Sequence, residues 1–236
     1  MAHLAVIPAR SGSKGLKDKN IKLMNGNPLM AYTIQAALES GVFDEVFVST
    51  DSAEYAEIAK KYGASVPFLR SEKTSGDTAG SWDVVKEVLE EYRKLGKDFD
   101  FVTLLQPTSP LRNAKEIAGA YKMFRQKNAR TVVSVCETED CSLCTNVLPE
   151  DMSMTGFIPK DIAHARRQEL PDYYRINGAI YTLNVEVMDD VENLYDNGCF
   201  AYIMSREHSI DIDTLADFKM AEALMEFENS GDEEIV

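Results

Sequence analysis

The chain has 236 residues, of which 44% are hydrophobic, enough for one substantial domain with room for an insertion. Its 39 acidic against 25 basic residues give a formal net charge of −14, which disfavours a nucleic-acid-binding surface. No apolar run approaches membrane-spanning length or resembles a secretion signal, so we expect a cytoplasmic protein that does not bind membranes.

Short apolar runs and helical periodicities alternate along the first part of the chain. The apolar runs predict strands at 4–7, 45–49, 65–68, 101–105 and 131–136. The helical periodicities predict helices at 28–40, 53–62, 81–95 and 114–126. This alternation predicts an α/β fold in which a mostly parallel central sheet carries helices on both faces.

The alternation stops after residue 136. The following polar stretch contains three prolines and no clear helical period, and we interpret it as an inserted, extended arm. Further strands are predicted at 179–183, 201–204 and 209–213, followed by an amphipathic helix at 215–227. The predicted organisation is an α/β core (1–136 and 179–228), an inserted arm (137–178) and an acidic tail (229–236).

The loop after the first predicted strand combines two glycines and two serines with four cations, Arg10, Lys14, Lys17 and Lys19. Small residues let the backbone approach a ligand, and successive N–H groups in such turns bind anions. The loop is neither a P-loop nor a dinucleotide fingerprint, because Leu16 follows Gly15 and Arg10 stands two positions before Gly12. It therefore predicts a polyphosphate site of another type, with a solvated basic turn as the alternative.

A pair of aspartates near the end of the chain indicates a metal site. Asp211 and Asp213 are two residues apart in a segment predicted to be extended, so their carboxylates should face the same side. Two hard oxygen ligands beside a polyphosphate suit Mg²⁺. The alternative is that Asp213 caps the helix that begins near Thr214.

Two other features have simpler explanations. Cys141 and Cys144 have the spacing of a zinc or redox pair, but no second pair or nearby histidine completes such a site, which favours reduced thiols.

Asp51 or Ser52 is suited to cap the helix that follows the second strand, although a strand end also allows a ligand role for Asp51.

Four blocks of the sequence closely resemble signatures of the acylneuraminate cytidylyltransferases, the CMP-sialic acid synthetases. They are IPARSGSKGL at 7–16 followed by Lys19-Asn20, LLQPTSPLR at 104–112, RINGAIY at 175–181 and SIDID at 209–213, in the family's order. The first block also separates this family from the enzymes that activate the eight-carbon acid KDO. The resemblance implies a Rossmann-like nucleotidyltransferase that forms a homodimer through the 137–178 insertion. It also implies Mg²⁺-dependent transfer of CMP from CTP to the anomeric hydroxyl of a nine-carbon 2-keto acid sugar, with release of pyrophosphate.

The resemblance assigns roles to individual residues. It implies catalytic roles for Arg10, Lys14, Lys19 and Arg167. It implies CTP contacts for Ala9, Arg10, Lys14, Lys19, Asn20, Arg70 and Ser81. It implies contacts to the sugar acid for Gln106, Arg167, Arg175, Asn177 and Tyr181, and metal ligation by Asp211 and Asp213.

Several alternatives remain open at this point. Gln106 could cap the backbone of its proline corner, Tyr181 could be a core residue, and Arg166 with Arg167 could be a solvated basic pair. Cys144 stands where family members often carry a basic residue, which leaves open whether the sugar is an N-acylneuraminate or legionaminic or pseudaminic acid. Alternatives from other classes are a Rossmann oxidoreductase, disfavoured by Arg10, and a non-catalytic nucleotide-binding module, disfavoured by the aspartate pair.

Overall fold

The structure is a computed structural model that describes residues 1–13, 15–76, 79–138, 142–160, 162, 165–166 and 169–230. Its strands are β1 (His3–Pro8), β2 (Leu23–Met24), β3 (Asn27–Pro28), β4 (Glu45–Ser49), β5 (Phe101–Leu104), β6 (Thr131–Glu137), β7 (Tyr174–Asn184) and β8 (Cys199–Met204). Six of them form one sheet in the order β4-β1-β5-β7-β6-β8, and β2 and β3 form a separate hairpin. In the large sheet β7 runs antiparallel to its neighbours β5 and β6, whereas the other adjacent pairs are parallel. The predicted mostly parallel sheet is therefore confirmed.

The helices pack on both faces of this sheet. They are α1 (Leu29–Ser40), α2 (Ala53–Lys61), α3 (Glu72–Ser75), α4 (Ser81–Lys94), α5 (Ala114–Gln126) and α6 (Leu215–Ser230), with 3-10 helices at Lys19–Ile21, Ser142–Cys144, Val185–Asn193 and Glu207–Ser209. Alternate residues of β1 enter two different cores, as the strand period of two requires. Ala5 and Ile7 pack with α1, α2 and α5, while Leu4 and Val6 pack with α4.

A third, smaller apolar cluster joins the β2–β3 hairpin, the start of α1 and α6. It contains Met24, Leu29, Leu111, Ile212 and Phe218, together with Ala221 and Met225. Ile212 is fully buried in it. Because Ile212 separates the two predicted metal-binding aspartates, this cluster fixes the backbone between them.

Strand β7 starts five residues earlier than predicted, so residues 174–178 belong to the sheet and not to the inserted arm. The pairing register shifts between Val133 and Val135, and Gly178 adopts a φ of +78° at this irregularity. The Ser134 hydroxyl donates to Asn177 Oδ1 (2.6 Å) and its oxygen accepts from the Ile180 N–H (2.8 Å). Asn177 and Gly178 interrupt the apolar pattern by which a strand is recognised in the sequence, and the same two residues form the bulge.

Two other predicted strands are wrong. Segment 65–68 makes only an isolated bridge between Phe47 and Ser65, because Pro67 has no N–H with which to continue a ladder. Segment 209–213 begins with the last residue of the 3-10 helix Glu207–Ser209 and runs beside the proline corner at 106–112, where the Ile212 N–H donates to Thr108 O (2.9 Å). A corner with two prolines cannot supply the donors of a regular ladder.

Between the strand residues at its two ends, the predicted arm has little regular structure: its described residues contain the 3-10 helix Ser142–Cys144 and are otherwise mostly turns and coil. Its separation from the core as a dimerisation arm stays a prediction. Among the described residues, no helix combines the length and apolar character needed to cross a membrane.

Candidate active site

A cleft of about 730 Å³ opens at the carboxyl ends of β1 and β5. In open α/β sheets this edge is the usual place for ligands. Eight of the predicted site residues line the cleft: Arg10, Lys19, Asn20, Arg70, Ser81, Gln106, Asp211 and Asp213. Residues from well-separated parts of the sequence therefore meet in one place.

The glycine loop after β1 is held by its own serine and by the next strand–helix junction. The Ser13 hydroxyl donates to Leu16 O (2.8 Å), and the same oxygen accepts from the Lys19 N–H (3.1 Å). Both the N–H and the hydroxyl of Ser11 donate to the Asp51 carboxylate, at 2.7 and 2.9 Å. Burial alone would raise the pKa of Asp51, but the bonds from Ser11 hold that pKa below its usual range.

Asp51 is therefore not the cap of α2. The side-chain oxygen of Ser52 accepts from the Tyr55 N–H (3.4 Å) and caps the helix, as one of the two sequence alternatives predicts. The bond from Asp51 back to the loop was not anticipated.

The same loop contacts the aspartate segment directly. A Cβ atom at Gly15 would lie 2.7 Å from the backbone oxygen of Asp213, so only glycine fits at this point. Lys19 Nζ donates to the carbonyl of Ile212 and lies 3.3 Å from Asp213 Oδ1. The loop and the aspartates thus form one structural unit.

Asp211 and Asp213 both face the cleft. Burial raises the pKa of Asp211 above its usual value, and the nearby charge of Asp213 adds to this, while a bond from Thr108 and the charge of Lys19 oppose it. The start of α6 is capped through Thr214 and Asp217, whose side chains each accept from the other's N–H (2.7 and 3.3 Å). Asp213 is therefore not needed as the helix cap.

Two like-charged carboxylates in one cleft are a suitable donor set for a hard divalent cation such as Mg²⁺. The described residues contain no group of three or more His, Cys, Asp or Glu side chains placed to hold a metal. A cation here would therefore complete its shell with phosphate or water oxygens, which is the usual arrangement for Mg²⁺.

Arg70 adds a largely buried cation to the lining of the cleft. Its guanidinium donates to the carbonyl and hydroxyl oxygens of Ser49 at 2.8 and 3.0 Å. Burial lowers its pKa to about 10, so it remains charged at neutral pH. Glu87 of α4 accepts from the Ser71 N–H (2.8 Å) and from the Thr74 hydroxyl, which fixes the segment between Arg70 and α4.

The proline corner after β5 places Gln106 at the cleft. A Cβ atom at Gly178 would lie 2.6 Å from Gln106 Oε1, so the bulge glycine makes room for this side chain. Arg112 supports the corner from behind by donating to Gln106 O (3.0 Å) and Ala179 O (2.9 Å). Sequence reasoning did not single out Arg112, because a buried arginine cannot be told from an exposed one by residue type.

Four predicted site residues lie outside the cleft lining. Ala9 is fully buried and its N–H donates to Ser49 O (2.8 Å). Asn177 is 2% exposed and its amide donates to Ser209 Oγ (2.8 Å), so its polar groups serve the bulge of β7. Both residues have a packing role in the structure, and contact of either one with a ligand stays a prediction.

Arg175 and Tyr181 lie nearer to the aspartates. Arg175 donates to Ser209 O (3.2 Å), and its charge acts on Asp211. Tyr181 packs edge-on against Trp82 with ring centroids 5.7 Å apart, in agreement with the core alternative. Burial, followed by the neighbouring Tyr195 and Asp211, raises its pKa to about 12. Their contacts to a sugar stay predictions, and Lys14 and Arg167 lie outside the described residues.

This fold and site define a class of protein. A mostly parallel α/β sheet, a cationic glycine loop after β1 and a carboxylate pair at the same cleft are the features of a Rossmann-like nucleotidyltransferase. Residues 4–194 match the family model described as cytidylyltransferase. The chain belongs to this cytidylyltransferase family, which confirms the resemblance found in the sequence.

Individual relatives agree with this assignment. The chain is 38% identical over 227 residues to an N-acylneuraminate cytidylyltransferase of Escherichia coli, covering 96% of this chain and 52% of that protein. It is 38% identical over 228 residues to the CMP-N,N'-diacetyllegionaminic acid synthase of Legionella pneumophila, covering 96% of this chain and 97% of that protein. The chain thus spans about half the length of the first relative and nearly all of the second.

A solved structure shares the fold. The CMP:2-keto-3-deoxy-manno-octonic acid synthetase complexed with CTP superposes with a TM-score of 0.73 at 19% identity, covering 97% of this chain and 100% of that one. At this identity the similarity establishes the fold alone.

Proposed function

We propose that the protein transfers CMP from CTP to the anomeric hydroxyl of a nine-carbon 2-keto acid sugar and releases pyrophosphate. The observation that carries the proposal is the meeting of the glycine loop with Asp211 and Asp213 in one cleft, in a chain of the cytidylyltransferase family. An acidic protein with a net charge of −14 needs local cations to bind a triphosphate, and Arg10, Lys19 and Arg70 line this cleft.

Different residues of the cleft would stabilise the phosphates and hold the metal ion during the reaction. The sugar hydroxyl would attack the α-phosphorus in line, and the bond to the pyrophosphate leaving group would break. Arg10 and Lys19, with Lys14 from the same loop, would stabilise the charge on the phosphates and on the leaving group. Asp211 and Asp213 would hold Mg²⁺, which when bound neutralises phosphate charge and orients or acidifies the attacking hydroxyl.

The sugar acid would lie beyond the triphosphate, near Gln106. Gln106 is positioned there by Gly178 and by the corner it belongs to. N-acylneuraminate is the first candidate, from the four sequence blocks and the E. coli relative. Legionaminic acid is the second, because the relative that acts on its diacetyl form matches this chain over nearly the full length of both proteins.

The proposal extends to a cytoplasmic homodimer formed through residues 137–178, with Arg167 reaching the partner's site. Several large apolar side chains of the arm are exposed, among them Val147 (87%), Met152 (66%) and Met154 (60%). Exposed apolar groups in one segment are typical of a surface that is covered in an assembly. Cys136 and Cys199 carry free thiols, which supports a reducing compartment.

Pyrophosphate release from CTP tests the reaction. We expect release with one or more nine-carbon 2-keto sugar acids, only when Mg²⁺ is present, and abolished in the Asp211→Ala variant. Glu226→Ala, which removes an exposed carboxylate of α6 outside the cleft, serves as the matched control and should keep the activity. Release with KDO alone would contradict the nine-carbon assignment, and absence of release with every sugar would overturn the enzymatic role. A monomeric mass in solution, measured by light scattering, would refute the dimer.

A further inference from the structure

The glycine loop is tied at two points to the end of β4 and the start of α2. Near the start of the loop, both donors of Ser11 bond the Asp51 carboxylate at 2.7 and 2.9 Å. Near its end, the Tyr55 hydroxyl donates to Asp18 Oδ1 (3.2 Å), and Asp18 has a left-handed φ of 51°. Asp51 in the junction between β4 and α2 and Tyr55 in the first turn of α2 therefore hold the two ends of segment 11–18, which connects the cleft-lining Arg10 and Lys19.

The bond at the start of the loop fixes its most demanding turn. Gly12 follows Ser11 directly and has a φ of +68°, a conformation that side-chain-bearing residues rarely adopt. Arg10 precedes Ser11, and its carbonyl accepts from Asn20 Nδ2 (3.1 Å). Asp51 thus accepts hydrogen bonds from Ser11, the residue between the cleft-lining Arg10 and the turn at Gly12.

The charge of Asp51 is unfavourable for an anion site, so its presence at the edge of the loop requires another explanation. A carboxylate bonded to the loop of the proposed triphosphate site adds repulsion toward an anionic ligand. Here the charge is offset by two hydrogen bonds from Ser11 and by the nearby Arg70. Charge-assisted bonds of this kind are stronger than those between neutral groups, which suits a carboxylate that holds a backbone in place.

We infer that Asp51 is a positioning residue for the nucleotide site: it sets the conformation of the glycine loop, and through it the placement of Arg10 and Lys19. The inference rests on the proposed function for the identity of the ligand. It assigns Asp51 no contact with the nucleotide or with the metal.

Binding of CTP, measured by calorimetry with Mg²⁺ and without sugar, separates this role from an electrostatic one. Asp51→Ala should weaken binding roughly tenfold, since a charge-assisted bond and part of the order of the loop are lost. Asp51→Asn should stay within about threefold of the wild type, because its oxygen can accept the Ser11 N–H and its amide can donate to the Ser11 hydroxyl. Glu54→Ala, an exposed acid on the first turn of the same helix, is the matched control for lost charge and should bind CTP normally.

Two further readouts distinguish positioning from general destabilisation. In Asp51→Ala, the KM for CTP should rise while the KM for the sugar acid stays unchanged. In the protein without ligand, hydrogen exchange should become faster for amides of residues 9–20 and remain unchanged in β1, β4 and β5. Adding Ser11→Ala to Asp51→Ala should cost little more, because both variants remove the same contact.

The inference would be overturned by wild-type CTP affinity in Asp51→Ala, by an equal loss in Glu54→Ala, or by faster exchange throughout the core strands. The exchange measurement needs neither ligand nor turnover. A wild-type protein that released no pyrophosphate would therefore refute the proposed function and leave the result on the loop unaffected.

Discussion

Replacing Arg112 by methionine should destabilise the protein strongly. Arg112 is 1% exposed and lies between the Gln106 corner, strand β7 and helix α1. Its guanidinium donates to Gln106 O (3.0 Å), Ala179 O (2.9 Å) and Thr33 Oγ1 (2.6 Å), and burial lowers its pKa to about 9. It is thus a buried cation bonded to neutral oxygens.

The expected magnitude follows from those oxygens. Methionine fills a similar volume but donates no hydrogen bonds, so the buried Ala179 carbonyl oxygen loses a partner at roughly 1–3 kcal/mol. The part-buried Gln106 carbonyl oxygen still accepts from the Ser109 N–H, so its lost bond costs about 0.5–1.5 kcal/mol. The Thr33 hydroxyl can rotate to another acceptor, so we assign it no cost. Arg112→Met should therefore lower the free energy of unfolding by about 1.5–4.5 kcal/mol, a large part of the 5–15 kcal/mol typical of a native domain.

Urea unfolding followed by the fluorescence of Trp82, the single tryptophan, measures this change. Thr33→Val is the matched control, because it removes one acceptor of Arg112 and leaves both carbonyl bonds; its loss should be about 1 kcal/mol. A loss below about 1 kcal/mol in Arg112→Met would refute the reasoning, since it would mean that desolvation of the cation cancels its hydrogen bonds.

Two other substitutions test the loop and a distant ion pair. Gly15→Ala should raise the KM for CTP at least tenfold and lower the free energy of unfolding by about 1–3 kcal/mol, because its Cβ would lie 2.7 Å from the Asp213 carbonyl oxygen. Normal kinetics would show that this contact is not restrictive. His208 bonds Glu116 (2.7 Å) and Glu228 (3.1 Å), and the bond to Glu116 is the main cause that raises its pKa to about 9. The stabilisation by charged His208 is fully present below pH 6.5 and is lost as the pH rises through about 9. His208→Gln should therefore lower the free energy of unfolding by about 1–2 kcal/mol at pH 6 and by almost nothing at pH 10. A loss of stability that does not depend on pH would contradict the ion pair.

Several parts of the site were predictable from the sequence because its segments obey simple rules. The apolar runs identified β1 and β5, and parallel strands place the loops at their carboxyl ends on one edge of the sheet. Arg10 in the first loop and Gln106 in the second therefore had to be near each other. The composition of the first loop predicts a phosphate-containing ligand, since small residues and cations together suit phosphate.

The supporting residues were not predictable, because their partners are far away in the sequence. Asp51 bonds a serine 40 positions earlier, and a strand-end aspartate has local explanations that are sufficient by themselves. Arg112 bonds Ala179, which is 67 positions later. Strand β7 was predicted too short because Asn177 and Gly178 break the apolar pattern, and they do so to form the bulge that accommodates Gln106.

The aspartate pair illustrates how a correct inference can depend on an incorrect element. The segment was predicted to be a strand, in which Asp211 and Asp213 would share a face by alternation. It is not a strand, and both carboxylates reach the cleft because Ile212 between them is buried against α6. The packing of α6 therefore sets the direction of the proposed metal ligands, while Gly15 sets how closely the phosphate loop approaches them. The glycine loop and the aspartate segment are therefore held together by contacts between residues about 200 positions apart in the sequence, which local sequence patterns do not predict.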